Sequence, residues 1–187
     1  TGEGGMILTD NKKIFEEINK LKNLYFGIGS ERFKHKKLGW NFRMSNLQAA
    51  VGLAQLEKLD FNVKKRRAIG RYYNLNLKKL EKFFYLPVDN LQYCKNIYWV
   101  YGLVLKDKYR ITAKKFMYLL NKKGIGTRPF FFPLHKQPII KRFNKQKLEN
   151  SEYISKYGFY IPSGLGITFK QQKFVIDKVK EVINENF

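Results

Sequence analysis

Two stretches of this chain combine residue types suited to holding a ligand. The first is Leu38-Gly39-Trp40-Asn41-Phe42-Arg43-Met44-Ser45-Asn46, and the second is Gly126-Thr127-Arg128-Pro129-Phe130-Phe131-Phe132-Pro133-Leu134-His135. Each sets a cation, aromatic rings and hydrogen-bonding side chains on chain without a regular period. Guanidinium and amide N–H groups suit anionic oxygens, and aromatic faces suit a ring, so the mixture fits an anionic, ring-containing ligand. A loop packed by its own aromatics would carry the same composition.

Other chemistries find no support. No G-x-G-x-x-G follows a strand, and no G-x-x-x-x-G-K-[ST] occurs. Gly27-Ile28-Gly29 lacks the third glycine and follows a helical pattern. The two histidines, His35 and His135, are too few for a zinc site. Cys94 is the single cysteine, which excludes an intramolecular disulfide; beside a strand start it reads as an inert structural thiol. No paired carboxylates stand out.

The elements that must position the two stretches follow from periodicity. Met6 to Thr9 reads as a short apolar strand. Thr9-Asp10-Asn11 offers a helix N-cap, and Ile14, Phe15, Ile18, Leu21 and Leu24 recur at helical spacing to about Tyr25. Residues 27–44 read as a long loop, which is uncommon unless functional. Ser45-Asn46-Leu47-Gln48 is a capping box that opens a helix expected to run on to about Leu80. Its stretch 62–71 is highly basic. Asn96 to Leu105 reads as a buried strand, 112–123 as an amphipathic helix, and Ile125 to Phe132 as an edge strand interrupted by Pro129. Residues 133–150 read as irregular or weakly helical. A short helix (151–157), a short strand (159–161) and a second capping box, Thr168 to Gln171, precede the last helix. The order is α/β in texture, with a first part too small to close its own sheet.

The chain has 187 residues, with 37 Lys+Arg against 15 Asp+Glu and a net charge of +22. Such a charge raises nucleic acid or an anionic membrane. Arg, the better reader of phosphate and base edges, supplies eight of the 37 cations. Lys, Asn, Ile, Phe and Tyr are abundant together, so the charge reads as compositional bias on a solvated surface. No nucleic-acid motif, membrane span or signal peptide is present, and the expectation is no nucleic-acid partner, no membrane and a cytoplasmic setting.

Taken in order, Thr1-Gly2-Glu3-Gly4-Gly5-Met6, then Gly39-Trp40-Asn41-Phe42-Arg43-Met44-Ser45-Asn46-Leu47-Gln48-Ala49-Ala50 with Gly52-Leu53-Ala54-Gln55-Leu56, then Thr127-Arg128-Pro129 through Pro133-Leu134-His135, and Ile161-Pro162-Ser163-Gly164-Leu165 resemble the DegT/DnrJ/EryC1/StrS family. These are pyridoxal 5'-phosphate-dependent sugar aminotransferases of fold type I. The resemblance is nearest to the perosamine-synthase-like branch, which aminates 4-keto-6-deoxy nucleotide sugars. It implies the C-terminal part of such an enzyme: the end of the large domain with the start of the interdomain helix (1–63) and a small α+β C-terminal domain (64–187). It also implies a Schiff-base lysine just ahead of Thr1, so that no catalytic residue is expected here and residues 1–187 alone are expected to be inactive. Lys12 and Lys13, at a helix start, do not replace that lysine.

The resemblance implies roles residue by residue. Asn41 matches an Asn that reaches into the neighbouring subunit of a homodimer and bonds the cofactor phosphate. His35, Arg43, Arg128 and His135 match positions near the nucleotide-sugar substrate. Arg43 would otherwise form a salt bridge, Arg128 would otherwise meet a loop carbonyl, and His35 would otherwise be solvent-exposed. Trp40 stands where the family more often has Tyr, which removes a phenol hydroxyl but keeps the ring face. The amino donor implied is an amino acid, glutamate first. Some members are dehydratases in which a His replaces the lysine, and the position that decides lies ahead of Thr1. A Lys-rich nucleic-acid-binding domain is the reading outside the family; it predicts a steep salt dependence.

Overall fold

The computed structural model describes residues 1–143 and 146–186. It divides into two compact units, Thr1–Leu59 and Asp60–Phe187.

In the first unit, residues 1–9 are irregular. The strand expected at Met6–Thr9 is absent: no described segment pairs with it, and an unpaired strand has no ladder to satisfy its backbone. Met6 and Leu8 are exposed. Helix α1 (Lys12–Leu21) begins where Asn11 Oδ1 accepts from the Ile14 N–H at 3.2 Å. It stops short of Tyr25 because Leu24 and Tyr25 adopt φ of +59° and +55°, a left-handed conformation that cannot continue a helix. Helix α2 (Asn46–Leu56) opens with the expected capping box: the Gln48 N–H donates to Ser45 Oγ, and the Ser45 N–H to Gln48 Oε1. The single helix expected to about Leu80 is instead interrupted after Leu56, and α3 (Leu59–Leu77) begins with Asp60 in its first turn, where a carboxylate favours a helix start. No residue from Thr1 to Leu59 is buried.

The second unit holds a core. Strands β1 (Phe84–Tyr85), β4 (Tyr101–Leu105), β5 (Arg128–Pro129) and β6 (Gly158–Ile161) form an antiparallel sheet in the order β1-β4-β6-β5. A small hairpin, β2 (Asn90–Leu91) with β3 (Cys94–Lys95), stands apart from it. Cys94, expected as a structural thiol, is exposed there. Helices α4 (Ala113–Lys122), α5 (Pro138–Lys141), α6 (Glu149–Tyr157) and α7 (Phe169–Asn186) complete the unit. Alternate residues of β4, Tyr101, Leu103 and Leu105, are buried among Phe116 and Leu120 of α4, Phe159 of β6 and Val175, Val179 and Val182 of α7. Burying each such side chain stabilises the fold by about 1.5–3 kcal/mol. The second capping box forms at Thr168 and Gln171.

The strand expected from Asn96 shortens to Tyr101–Leu105. Tyr98 takes φ +50°, and its N–H donates to Asn96 Oδ1 at 2.7 Å rather than to a ladder. Its ring packs on Gly70, where a Cβ would lie 2.3 Å away, so α3 needs glycine at that position. Its phenol donates to Asp89 and accepts from Asn74; burial, with Asp89 adding to it, pushes the phenol up to about 12. The basic stretch of α3 holds this excursion in place. Arg66 donates to the Trp99 carbonyl at 2.7 Å, Arg67 to the Asn96 carbonyl at 3.2 Å, and Arg71 pairs with Asp89 at 3.0 Å. The expected edge strand Ile125 to Phe132 reduces to β5. The stretch expected to be irregular or weakly helical, 133–150, contains α5 and the start of α6; its positions 144 and 145 lie outside the described residues. Among the described residues no helix is long and apolar enough to cross a membrane, and no group of three His, Cys, Asp or Glu could hold a metal.

Candidate functional site

The first candidate stretch closes a loop on α1. At its base the Leu24 N–H donates to Trp40 O (2.9 Å), the Trp40 N–H to Leu21 O (2.7 Å) and the Phe42 N–H to Lys22 O (2.9 Å), with Asn23 bridging Asn41. The chain between is a compact surface loop with its ends together. Gly39 makes the closure possible: a Cβ there would sit 2.5 Å from the Tyr25 nitrogen. Glu17 of α1 pins the loop's side, accepting from Tyr25 Oη at 2.9 Å and Lys37 Nζ at 2.7 Å. Those two partners hold its carboxyl below the usual range, Lys37 most of all.

Three predicted site residues share this loop. His35 is exposed, leans on the Phe26 ring and places Nδ1 2.7 Å from the Leu24 carbonyl. A carbonyl accepts, so Nδ1 carries the hydrogen and Nε2 is left as the acceptor of the neutral ring. Asn41 is exposed, and its Oδ1 accepts from Arg43 Nε at 3.2 Å. That bond fixes which way the amide points and leaves its N–H2 free of partners among the described residues. Arg43 is itself exposed and forms no salt bridge among the described residues. Trp40 and Phe42 lie nearly parallel, 6.0 Å between ring centres.

The second candidate stretch lies on the sheet of the second unit. Arg128 and Pro129 pair with Tyr160 and Phe159, and the Phe130 N–H donates to Gly158 O at 3.2 Å. The Phe130 ring lies over a floor of two glycines. A Cβ at Gly102 would come within 2.5 Å of it, and one at Gly158 within 2.3 Å. Tyr160 flanks the ring at 4.7 Å. The Arg128 side chain is exposed, as are Phe131 and Phe132. After Pro133 the chain makes one tight turn that sinks His135 to 7% exposure, while Leu134 stays outside. His135 Nε2 lies 3.0 Å from Glu152 Oε1, and Lys136 Nζ lies 2.5 Å from Glu152 Oε2. Lys136 first, then His135, holds the Glu152 carboxyl below its ordinary value.

Glu152 and the glycine floor leave no signature in the sequence. Glu152 is 17 residues from His135 on a separate helix, and no spacing rule links them. Gly102 and Gly158 are neighbours only through the register of β4 and β6.

A family model described as the DegT/DnrJ/EryC1/StrS aminotransferase family matches residues 1–180, and so spans both loops. The chain belongs to that family. Among curated relatives, GDP-perosamine synthase of Vibrio cholerae is 29% identical over 98% of this chain and 49% of its own. An uncharacterized protein of Methanocaldococcus jannaschii is 29% identical over 100% of this chain and 51% of its own. The chain thus spans about half the length of the curated relatives it matches. Among solved structures of the family's fold, Helicobacter pylori PseC, an aminotransferase involved in the biosynthesis of pseudoaminic acid, aligns with a TM-score of 0.81 at 21% identity, covering 95% of this chain and 48% of that one. This likeness bears out the α/β, fold type I aminotransferase architecture expected from the family resemblance.

Proposed function

We propose that this chain serves a pyridoxal 5'-phosphate-dependent aminotransferase. The enzyme moves an amino group from an amino acid, glutamate first, to a 4-keto-6-deoxy nucleotide sugar used in surface polysaccharide or glycan synthesis. The observation that carries the reading is the family match through both loops, with perosamine synthases among the relatives. The two domains proposed are the end of the large domain (1–63) and the small C-terminal domain (64–187), in a cytoplasmic homodimer.

The residues present fit the cofactor. Asn41 holds its carbonyl oxygen on Arg43 and keeps its N–H2 donors free among the described residues, as a phosphate-binding amide requires. When bound, the cofactor supplies the electron sink and carries the amino group between donor and acceptor. Asn41 donates to its phosphate from the partner subunit's side, and Arg43 keeps the amide from flipping. His35 offers a ring nitrogen, and Arg128 an exposed guanidinium, to the sugar and the diphosphate. His135 meets a sugar hydroxyl. The basic stretch of α3 gives no support to a nucleic-acid reading, because Arg66, Arg67 and Arg71 are already engaged within the fold.

The holoenzyme, given glutamate and a GDP- or UDP-linked 4-keto-6-deoxy sugar, is expected to form the 4-amino sugar and 2-oxoglutarate in equal amounts. Loss of a ring hydroxyl in place of amination would overturn the reading in favour of dehydration. No reaction with any such sugar would overturn it altogether.

A further inference from the structure

Glu152 lies outside both candidate stretches, yet its carboxylate grips the last residue of the second and the residue that follows it. Oε1 meets His135 Nε2 at 3.0 Å and Oε2 meets Lys136 Nζ at 2.5 Å. His135 is 7% exposed, so leaving its ring without partners would be costly. An ionised carboxylate only accepts, and Lys136 beside it keeps it ionised. The hydrogen therefore sits on His135 Nε2, and in the neutral ring Nδ1 is a bare acceptor. Nδ1 has no hydrogen-bond partner among the described residues. The loop is fixed at its other end by Phe130, seated on Gly102 and Gly158. Between the two anchors stand the exposed Phe131 and Phe132. Two fixed ends and one fixed tautomer make a surface that can tell a donor from an acceptor.

We propose that Glu152 is a positioning residue of the sugar site: it locks His135 as the Nε2–H tautomer, so that Nδ1 accepts a hydrogen bond from a substrate hydroxyl and disfavours a carbonyl or ether oxygen at that position. The proposal rests on the second loop being the sugar site. The acceptor oxygen of Glu152 matters here more than its charge. Glu152→Gln retains a carbonyl oxygen for Nε2–H, whereas Glu152→Ala removes it.

The test uses the holoenzyme and four readouts. Glu152→Ala is expected to raise KM for the keto-sugar nucleotide about tenfold, the worth of one hydrogen bond, with the half-reaction with glutamate unchanged. Glu152→Gln is expected to stay within about threefold of wild type. A substrate analogue lacking one ring hydroxyl should be penalised by wild type and Glu152→Gln but no longer by Glu152→Ala. Long-range 1H–15N correlations of the His135 ring should show a single Nε2–H tautomer in wild type and a mixture in Glu152→Ala. A wild type that transaminates while Glu152→Ala keeps its KM, or keeps one tautomer, overturns the positioning role alone. A Glu152→Gln variant that is as impaired as Glu152→Ala also overturns it, because charge rather than the acceptor would then be at work. A wild type that transaminates no keto-sugar overturns the functional reading and this proposal with it.

Discussion

The two units solve the same problem, holding a loop of ligand-type residues still, by different means. In residues 1–59 nothing is buried, and the loop is fixed by main-chain bonds at its base, a glycine at the pinch and the Glu17 ion pair. In residues 60–187 the loop is laid on a sheet whose other side is a continuous apolar core. Ile14 and Phe15 of α1 and Leu47, Val51, Leu53 and Leu56 of α2 are all exposed. Helices of ten and eleven residues are marginal in water without a packed face. The first unit thus has well-formed local structure and no hydrophobic reason of its own to keep it, whereas the second has both.

The largest expected effect breaks the chain at this difference. A fragment of residues 60–187 should unfold cooperatively in urea, while 1–59 alone should show little helix by circular dichroism. A cooperative transition in 1–59 would mean that local bonds suffice. Next come paired truncations in the full chain. Phe116, fully buried, should cost about 3–5 kcal/mol as Phe116→Ala. Phe15, exposed on α1, should cost under about 0.5 kcal/mol as Phe15→Ala. Similar shifts in the urea midpoint for the two would erase the contrast.

A smaller effect separates the ways the two loops are held. Gly39→Ala puts a methyl 2.5 Å from the Tyr25 nitrogen, and backbone on both sides of the pinch cannot yield cheaply. It should raise hydrogen exchange at Leu24, Trp40 and Phe42 about tenfold or more, a loss of about 1.4 kcal/mol in local stability, while amides of β4 and β6 stay protected. Coupled loosening of β4 would show that the loop and the core are one cooperative body.

The sequence revealed what depends on neighbours along the chain and concealed what depends on neighbours in space. Asn11, Ser45 and Thr168 cap helices as their local patterns imply. Both loops were visible as mixtures of cation, amide and ring. The strand at Met6–Thr9 failed because a strand is a property of a pair, and the run from Asn96 failed because Asn96 and α3 draw Tyr98 out of the extended form. At the site, the shared loop of His35, Asn41 and Arg43 was legible, but the pairing of His135 with Glu152 was not. Burial beside a carboxylate on a distant helix leaves no periodic trace.

The smallest effect is electrostatic and belongs to the second unit. Lys123, just past α4, pairs with Glu181 at 2.5 Å and Glu185 at 2.9 Å on α7. Lys123, helped by Lys178, pulls the Glu181 carboxyl down from 4.5 to about 2. A carboxyl whose folded pKa is lowered adds stability that is fully present above its unfolded pKa and disappears as pH falls through the folded one. The contribution should therefore fade between about pH 4.5 and 2. Because Glu181 is partly open to solvent, screening keeps it modest and salt should shrink it. At the opposite end, Tyr98, raised to about 12, holds its proton in the fold after the unfolded chain has lost it, so stability should fall as pH climbs from 10 towards 12. Urea midpoints measured across both windows should slope in these directions. Glu181→Gln should flatten the acid slope and leave the alkaline one unchanged. An acid slope that survives the substitution would move the effect to other carboxylates, Glu17 and Glu152 first, and with it part of the pH sensitivity to the two loops themselves.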